Sequence, residues 1–168
     1  KYILPGGADH AKYVAYLDRL ATFLGGLKGP KGEAIPIIFR PFHEHTGSWF
    51  WWGQKECTAA EFKALWQFSV SYLHNQKKLH NLIIAYSAAD FTSEAQYLER
   101  YPGDEYVDVM GFDDYCGKDA EQFRQGIDKK MAMLQTISRA HRKLPALTEF
   151  GYEGLPDPTW WTKTMLPL

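Results

Sequence analysis

Glu44 and Glu149 each follow directly on an apolar run. Glu44 sits in "IPIIFRPFHEHTGSWFWWG" (35–53), between His43 and His45, and Glu149 sits in "ALTEFG" (146–151). Two carboxylates over one cleft can hydrolyse a glycosidic bond: one protonates the leaving oxygen while the other attacks the sugar carbon. A separation of about 5–5.5 Å gives retention, and about 6.5–9.5 Å leaves room for water and gives inversion. The surroundings differ as that division of labour requires. Trp and Phe beside Glu44 would desolvate it and raise its pKa. Glu149 needs cationic or hydrogen-bond-donating neighbours to stay ionised, and Arg40 and Tyr115 have the right chemistry if they converge. The competing reading is two ordinary loop acids. Their shared place after apolar runs favours catalysis.

His43 and His45 invite a metal. Neighbours in an extended chain point to opposite sides, however, and no HExxH pattern is present. No metal and no cofactor are expected. His43 is expected to hydrogen-bond a sugar hydroxyl or the second carboxylate, and His45 to pack within its loop. The aromatics of "GSWFWWG" suit a sugar site, because a pyranose ring offers an apolar face to an indole. Trp49 and Trp52 are the expected platforms, with Phe50 and Trp51 directed into the wall. Trp66 belongs to the core. Of Trp160 and Trp161, one buries and one lies near the cleft.

These residues must be held by elements that the periodicity marks. Residues 8–29 read as a helix, with Leu17, Leu20 and Leu24 at three- and four-residue spacing and Asp9 as N-cap. Residues 34–40, 81–87, 106–112 and 144–151 read as short apolar strands buried on both faces. Between them, 58–79 reads as a helix opened by a Thr58/Glu61 capping box, 93–100 as a short helix and 119–143 as a long one. A last helix starts at Pro158, in the N1 position.

Strands alternating with helices give an α/β parallel sheet. No strand end carries the Gly-rich turn of an open nucleotide-binding sheet. The strand ends instead carry Arg40 to Glu44, Tyr86 to Asp90, Asp113 to Tyr115, and Glu149. That favours a (β/α)8 TIM barrel, whose active face lies at the C-terminal strand ends. Glu44 and Glu149 are three strands apart, about 135° around an eight-strand ring, and so face one another across the mouth. Only about half of the barrel's strands are visible, so residues 1–168 read as a partial catalytic domain of a longer protein.

The composition limits the partners. The chain has 168 residues, is 45% hydrophobic and carries a formal net charge of −1 without a charge block. Nucleic acid and anionic membrane are therefore not expected partners. No apolar stretch is long enough to span a membrane. Aromatics make up 15% of residues, six of them Trp, more than a core of this size needs. Cys57 and Cys116 read as free thiols, with a bond between them as the alternative.

"IPIIFRPFHEHTGSWFWWG", "VDVMGFDDY" and "ALTEFGYEG" resemble glycoside hydrolase family 26, and the likeness extends to "ILPGG" and "DPTWW". Members of that family are (β/α)8 barrels with a retaining mechanism, best known as bacterial endo-β-1,4-mannanases. The resemblance implies Glu44 as acid/base and Glu149 as nucleophile. It makes the visible strands numbers four to seven, with strands one to three and strand eight absent. It implies that His43 and Trp49 contact sugar and that Tyr115 hydrogen-bonds the nucleophile, with Asp113 in the same motif. The family's eighth-strand tryptophan has no counterpart here. The implied partner is β-mannan or manno-oligosaccharides, and the implied protein is a secreted, periplasmic or cell-surface monomer when full length. β-1,3:1,4-glucan and β-1,3-xylan are the alternative substrates. A non-catalytic carbohydrate-binding protein is the alternative class.

Overall fold

Four parallel strands stand in chain order, with helices on one side. The structure, a computed structural model, describes residues 1–167. The order is α1 (His10–Gly26), β1 (Ile37–Phe39), α2 (Ala59–Ser71), β2 (Leu82–Ala88), α3 (Glu94–Leu98), β3 (Val109–Cys116), α4 (Ala120–His141) and β4 (Leu144–Tyr152). The sheet order β1-β2-β3-β4, parallel throughout, is half of a (β/α)8 barrel.

Helix signals in the sequence locate the helices well. Thr58 caps α2 with a complete capping box: its hydroxyl accepts from the Glu61 N–H, and Glu61 accepts from the Thr58 N–H. Past Ser71 the same helix continues as one π-helical turn, Tyr72–Gln76. Asp119 caps α4 by accepting from Glu121 and Gln122, and Arg142 closes it in the left-handed region at φ 56°. Asp9 precedes α1, but its carboxylate pairs with Lys12 at 2.7 Å rather than capping the helix. Pro158 does not open a helix. Asp157 accepts from the N–H and hydroxyl of Thr159, which holds a turn there, and helical backbone begins only at Trp160.

The strands depart from expectation in three ways. β3 lies later than 106–112, at Val109–Cys116, so Asp113 to Tyr115 fall inside the strand rather than after it, and Tyr106 ends a 3-10 turn. β1 is only three residues long, because Pro36 and Pro41 flank it and cannot donate to a ladder. The expectation of burial on both faces fails for one face. Met110 and Phe112 of β3 pack with Ile84, Tyr86 and Ala88 of β2 against Phe62, Trp66 and Val70 of α2. Phe123, Ile127, Leu134 and Ile137 of α4 complete that core. Alternation turns the residues in between to the concave face. There Ile38 is 69% exposed and Leu144 68% exposed. A continuous apolar strand is written for two covered faces, and in these residues the helices cover only the convex one.

One irregularity matters for chemistry. Phe112 pairs with Leu147 and Asp113 pairs with Glu149, so Thr148 is an extra residue in β4. Such a bulge re-aims the side chains that follow it. Here it brings Glu149 level with Asp113, on the concave side of the strand ends. Gly111 makes room for it: a Cβ at that position would run into the Thr148 side chain.

Candidate active site

Arg40, one residue beyond β1, lies at the centre of the mouth. Its Nη1 donates to Ser87 Oγ on β2 at 3.0 Å and to Asp113 Oδ2 on β3 at 2.6 Å. Its Nη2 donates to Glu149 Oε2 on β4 at 2.5 Å. One planar guanidinium thus ties all four strand ends, a geometry that an ammonium could not reproduce. Burial works against the Arg40 charge, but the bonds to Glu149 and Asp113 outweigh it and raise its pKa above the ordinary value.

Glu149 has a donor on each oxygen. The Tyr115 hydroxyl donates to Oε1, and Arg40 donates to Oε2. The Tyr115 bond is the largest influence holding the Glu149 carboxyl below its usual range; partial burial opposes it, and Arg40 and His43 assist. Tyr115 is itself pushed up to about 12, first by that bond, then by burial and by the charges of Glu149 and Glu44. Tyr115 therefore feels both glutamates. Arg40 and Tyr115, the two neighbours that the sequence offers for Glu149, converge on it.

Asp113 lies behind this pair, with its side chain fully buried. Arg40 takes one oxygen, and Thr148 Oγ1 donates to the other at 2.7 Å. Burial raises the Asp113 pKa despite both partners.

Glu44 is held from the other side of the mouth. Its N–H donates to the Ser87 carbonyl at 3.0 Å, and its carbonyl accepts from Gly47 at 2.9 Å. Thr46 Oγ1 accepts from the N–H groups of Ala89 and Asp90, which stitches this loop to the end of β2. Phe42 and Glu44 both adopt the left-handed region, at φ 47° and 53°. Such backbone persists only where the surroundings fix it, and it gathers at functional sites. The Phe42 ring, set among Trp51, Trp52, Phe62 and Trp66, is one such fixture. His45 is another. It is fully buried between the Phe62 and Tyr86 rings, with ring centroids 4.8 and 4.5 Å away. Burial, helped by the Arg100 charge, drives its pKa down to about 3, so it stays neutral. It is the packed loop histidine that the sequence implies.

The aromatics divide into three roles. Trp49 is 62% exposed and donates from Nε1 to Glu44 Oε2 at 2.8 Å. It meets the carboxyl through its polar edge and leaves ring surface to solvent. Trp52 is half-buried: Nε1 donates to the His43 carbonyl at 2.8 Å, and its ring stacks on Phe50 with centroids 4.4 Å apart. His43 rests on the same pair, 4.9 Å from the Phe50 centroid. Trp51 departs from expectation: it is 54% exposed and, with Tyr13, Tyr16 and Phe42, edges a groove of about 740 Å³ beside α1. That groove contains neither glutamate. Trp160 buries, as one of that pair must, and Trp161 packs against Phe150 at 5.6 Å. Cys57 and Cys116 are both free thiols.

Sequence reasoning missed four holding residues. Arg100, nearly buried, donates to the carbonyls of Cys57 and Trp52 and braces the aromatic loop from beneath. Lys130 on α4 bridges Asp90 at 2.6 Å and Asp114 at 2.9 Å, joining the loops after β2 and β3. Ser87 and Thr148 are the others. Thr148 had one legible signal, its place beside Glu149. The rest are distant in sequence from what they hold.

The profile of Glycosyl hydrolase family 26 matches residues 2–152. A mannan endo-1,4-beta-mannosidase of Bifidobacterium adolescentis is 40% identical over 158 residues, 90% of this chain and 16% of that protein. A GH26 beta-mannanase structure from Bacteroides ovatus superposes with TM-score 0.93 at 42% identity, over 99% of this chain and 48% of its own. A beta-mannanase from a symbiotic protist of the termite Reticulitermes speratus, complexed with gluco-manno-oligosaccharide, superposes with TM-score 0.71 at 25% identity. It covers 96% of this chain and 53% of its own. The chain thus spans about half of these solved structures and less than a fifth of the Bifidobacterium protein.

Proposed function

The chain belongs to glycosyl hydrolase family 26, and from that premise we propose that it carries the catalytic pair of a retaining endo-β-1,4-mannanase. The observation that carries the reading is Glu149 with the Tyr115 hydroxyl on one oxygen and Arg40 on the other, on the mouth that Glu44 also faces. Similarity to mannan endo-1,4-beta-mannosidases supports mannan, galactomannan or glucomannan as substrate.

In this reading Glu149 attacks the anomeric carbon. The bond to the leaving oxygen breaks as Glu44 delivers its proton there. A covalent glycosyl-enzyme remains, and Glu44, now a carboxylate, takes a proton from the water that releases the sugar. Arg40 and Tyr115 keep the attacking carboxylate ionised and aimed. Trp49 orients the Glu44 carboxyl through its indole N–H and offers a ring face to a pyranose. His43, braced on Phe50 and Trp52, lies where a sugar hydroxyl next to the scissile bond would need a partner.

The test separates the two glutamates. Glu149→Ala should abolish hydrolysis of polymer and of aryl mannosides alike. Glu44→Ala should lose polymer activity by orders of magnitude yet spare an aryl mannoside with an acidic phenol, which leaves without protonation. Equal loss on both substrates rejects Glu44 as the acid. Mannan binding without release of reducing ends from the wild-type protein rejects catalysis in favour of a binding role.

A further inference from the structure

We infer that Thr148 is a positioning residue, which fixes Asp113 and through it the Arg40 guanidinium that faces Glu149. The bulge leaves Thr148 without a partner residue on β3, with its side chain beside Gly111. Gly111, across on β3, removes the Cβ that would collide with it. From there Oγ1 lies 2.7 Å from Asp113 Oδ1 and 2.9 Å from the Phe112 carbonyl. Asp113 uses its other oxygen for Arg40 Nη1, and the same guanidinium reaches Glu149 through Nη2.

The chain of contacts has no slack. The Asp113 side chain is fully buried, so an oxygen that loses Thr148 is left without a partner at the protein surface. A carboxylate held at one oxygen can swing about its χ2, which is a broad torsion. Arg40 Nη1 would follow it, and the hold on Glu149 through Nη2 would loosen. The hydroxyl therefore acts through three successive hydrogen bonds on the carboxylate that it orients. The two oxygens of Asp113 and the two terminal nitrogens of Arg40 transmit the constraint.

The inference rests on the hydrolase reading for its rate measurement only. A second readout does not need activity. A guanidinium clamped by two carboxylates rotates slowly about Nε–Cζ and gives separate Nη1 and Nη2 signals in 15N-resolved NMR. Thr148→Val and Thr148→Ala should merge the Arg40 signals and lower kcat on mannan about tenfold with KM little changed, as expected of a displaced catalytic group. Thr148→Ser, which keeps the hydroxyl, should restore both. Thr148→Ala leaves space, so it gives the same reading if Thr148→Val fails to fold. Separate Arg40 signals in both hydroxyl-free variants would overturn the inference, as would merged signals with unchanged kcat. A wild-type protein that cleaves no mannan defeats the hydrolase reading. The Arg40 signals would still decide whether Thr148 fixes that guanidinium.

Discussion

Glu149 differs from an ordinary surface glutamate in the two donors on its oxygens, and each donor carries its own prediction. Tyr115 is the larger influence on its ionisation. An acid whose folded pKa is depressed stays charged to lower pH, and its charged form is lost as pH falls through that pKa. Removing the hydroxyl should raise the Glu149 pKa. Tyr115→Phe should therefore move the acidic limb of the kcat/KM profile to higher pH by about one unit. An unmoved acidic limb would show that Tyr115 serves another group. Arg40 acts on stability as well, because Asp113 is buried beside it. Arg40→Met leaves that carboxyl without its cation. It should lower stability by about 3 kcal/mol at neutral pH, measured by urea unfolding, with part of the loss recovered at acid pH as Asp113 takes a proton.

The elements hold these side chains with unequal firmness. Helix α2 is fixed at its start by the Thr58/Glu61 capping box and along its length by Phe62, Leu65 and Trp66, all essentially buried. Thr58→Ala should cost about 1 kcal/mol by thermal unfolding and leave activity alone. The loop from Pro41 to Gly53 has no regular hydrogen-bond ladder. It is held instead by scattered contacts: the Glu44 N–H on the Ser87 carbonyl, Thr46 onto β2, His45 beneath, Arg100 on the Trp52 carbonyl, and a Phe42 ring among aromatics. Gly47 belongs to the same arrangement, because a Cβ there would strike the Trp49 ring. The density of these contacts explains how two left-handed non-glycine residues persist on either side of His43.

Across the whole molecule the asymmetry lies between convex and concave faces. The convex side is sealed by α2 and α4, while the concave side presents Ile38, Leu144 and, less so, Ile83 to solvent. β2 and β3 each have two strand neighbours, and β1 and β4 each have one among the described residues. Hydrogen exchange on the 168-residue chain should therefore protect Ala85, Tyr86, Met110 and Gly111 most, with β1 exchanging fastest of the strands. Uniform protection across all four strands would contradict this picture. No helix among the described residues is long and apolar enough to cross a membrane.

Local sequence specified much of this. Apolar runs of strand length, capping residues and three- and four-residue periodicity located four strands and the major helices, because those signals act over a few residues. Residue type and place after a strand also marked Glu44, Glu149, Arg40, Asp113 and Tyr115. Their convergence was a matter for tertiary structure. That Arg40 spans all four strand ends depends on strand order and on a bulge at Thr148, neither of which leaves a local pattern. The same holds for Trp51 and Trp52. Adjacent indoles carry identical chemistry, and only the loop's path leaves Trp51 largely exposed at the outer groove while half-burying Trp52, which lines the same groove, on Phe50 and the His43 carbonyl. Sequence sets what each residue can do. The long-range register of parallel strands, whose paired residues lie 24 to 45 positions apart in the chain, decides which of them meet.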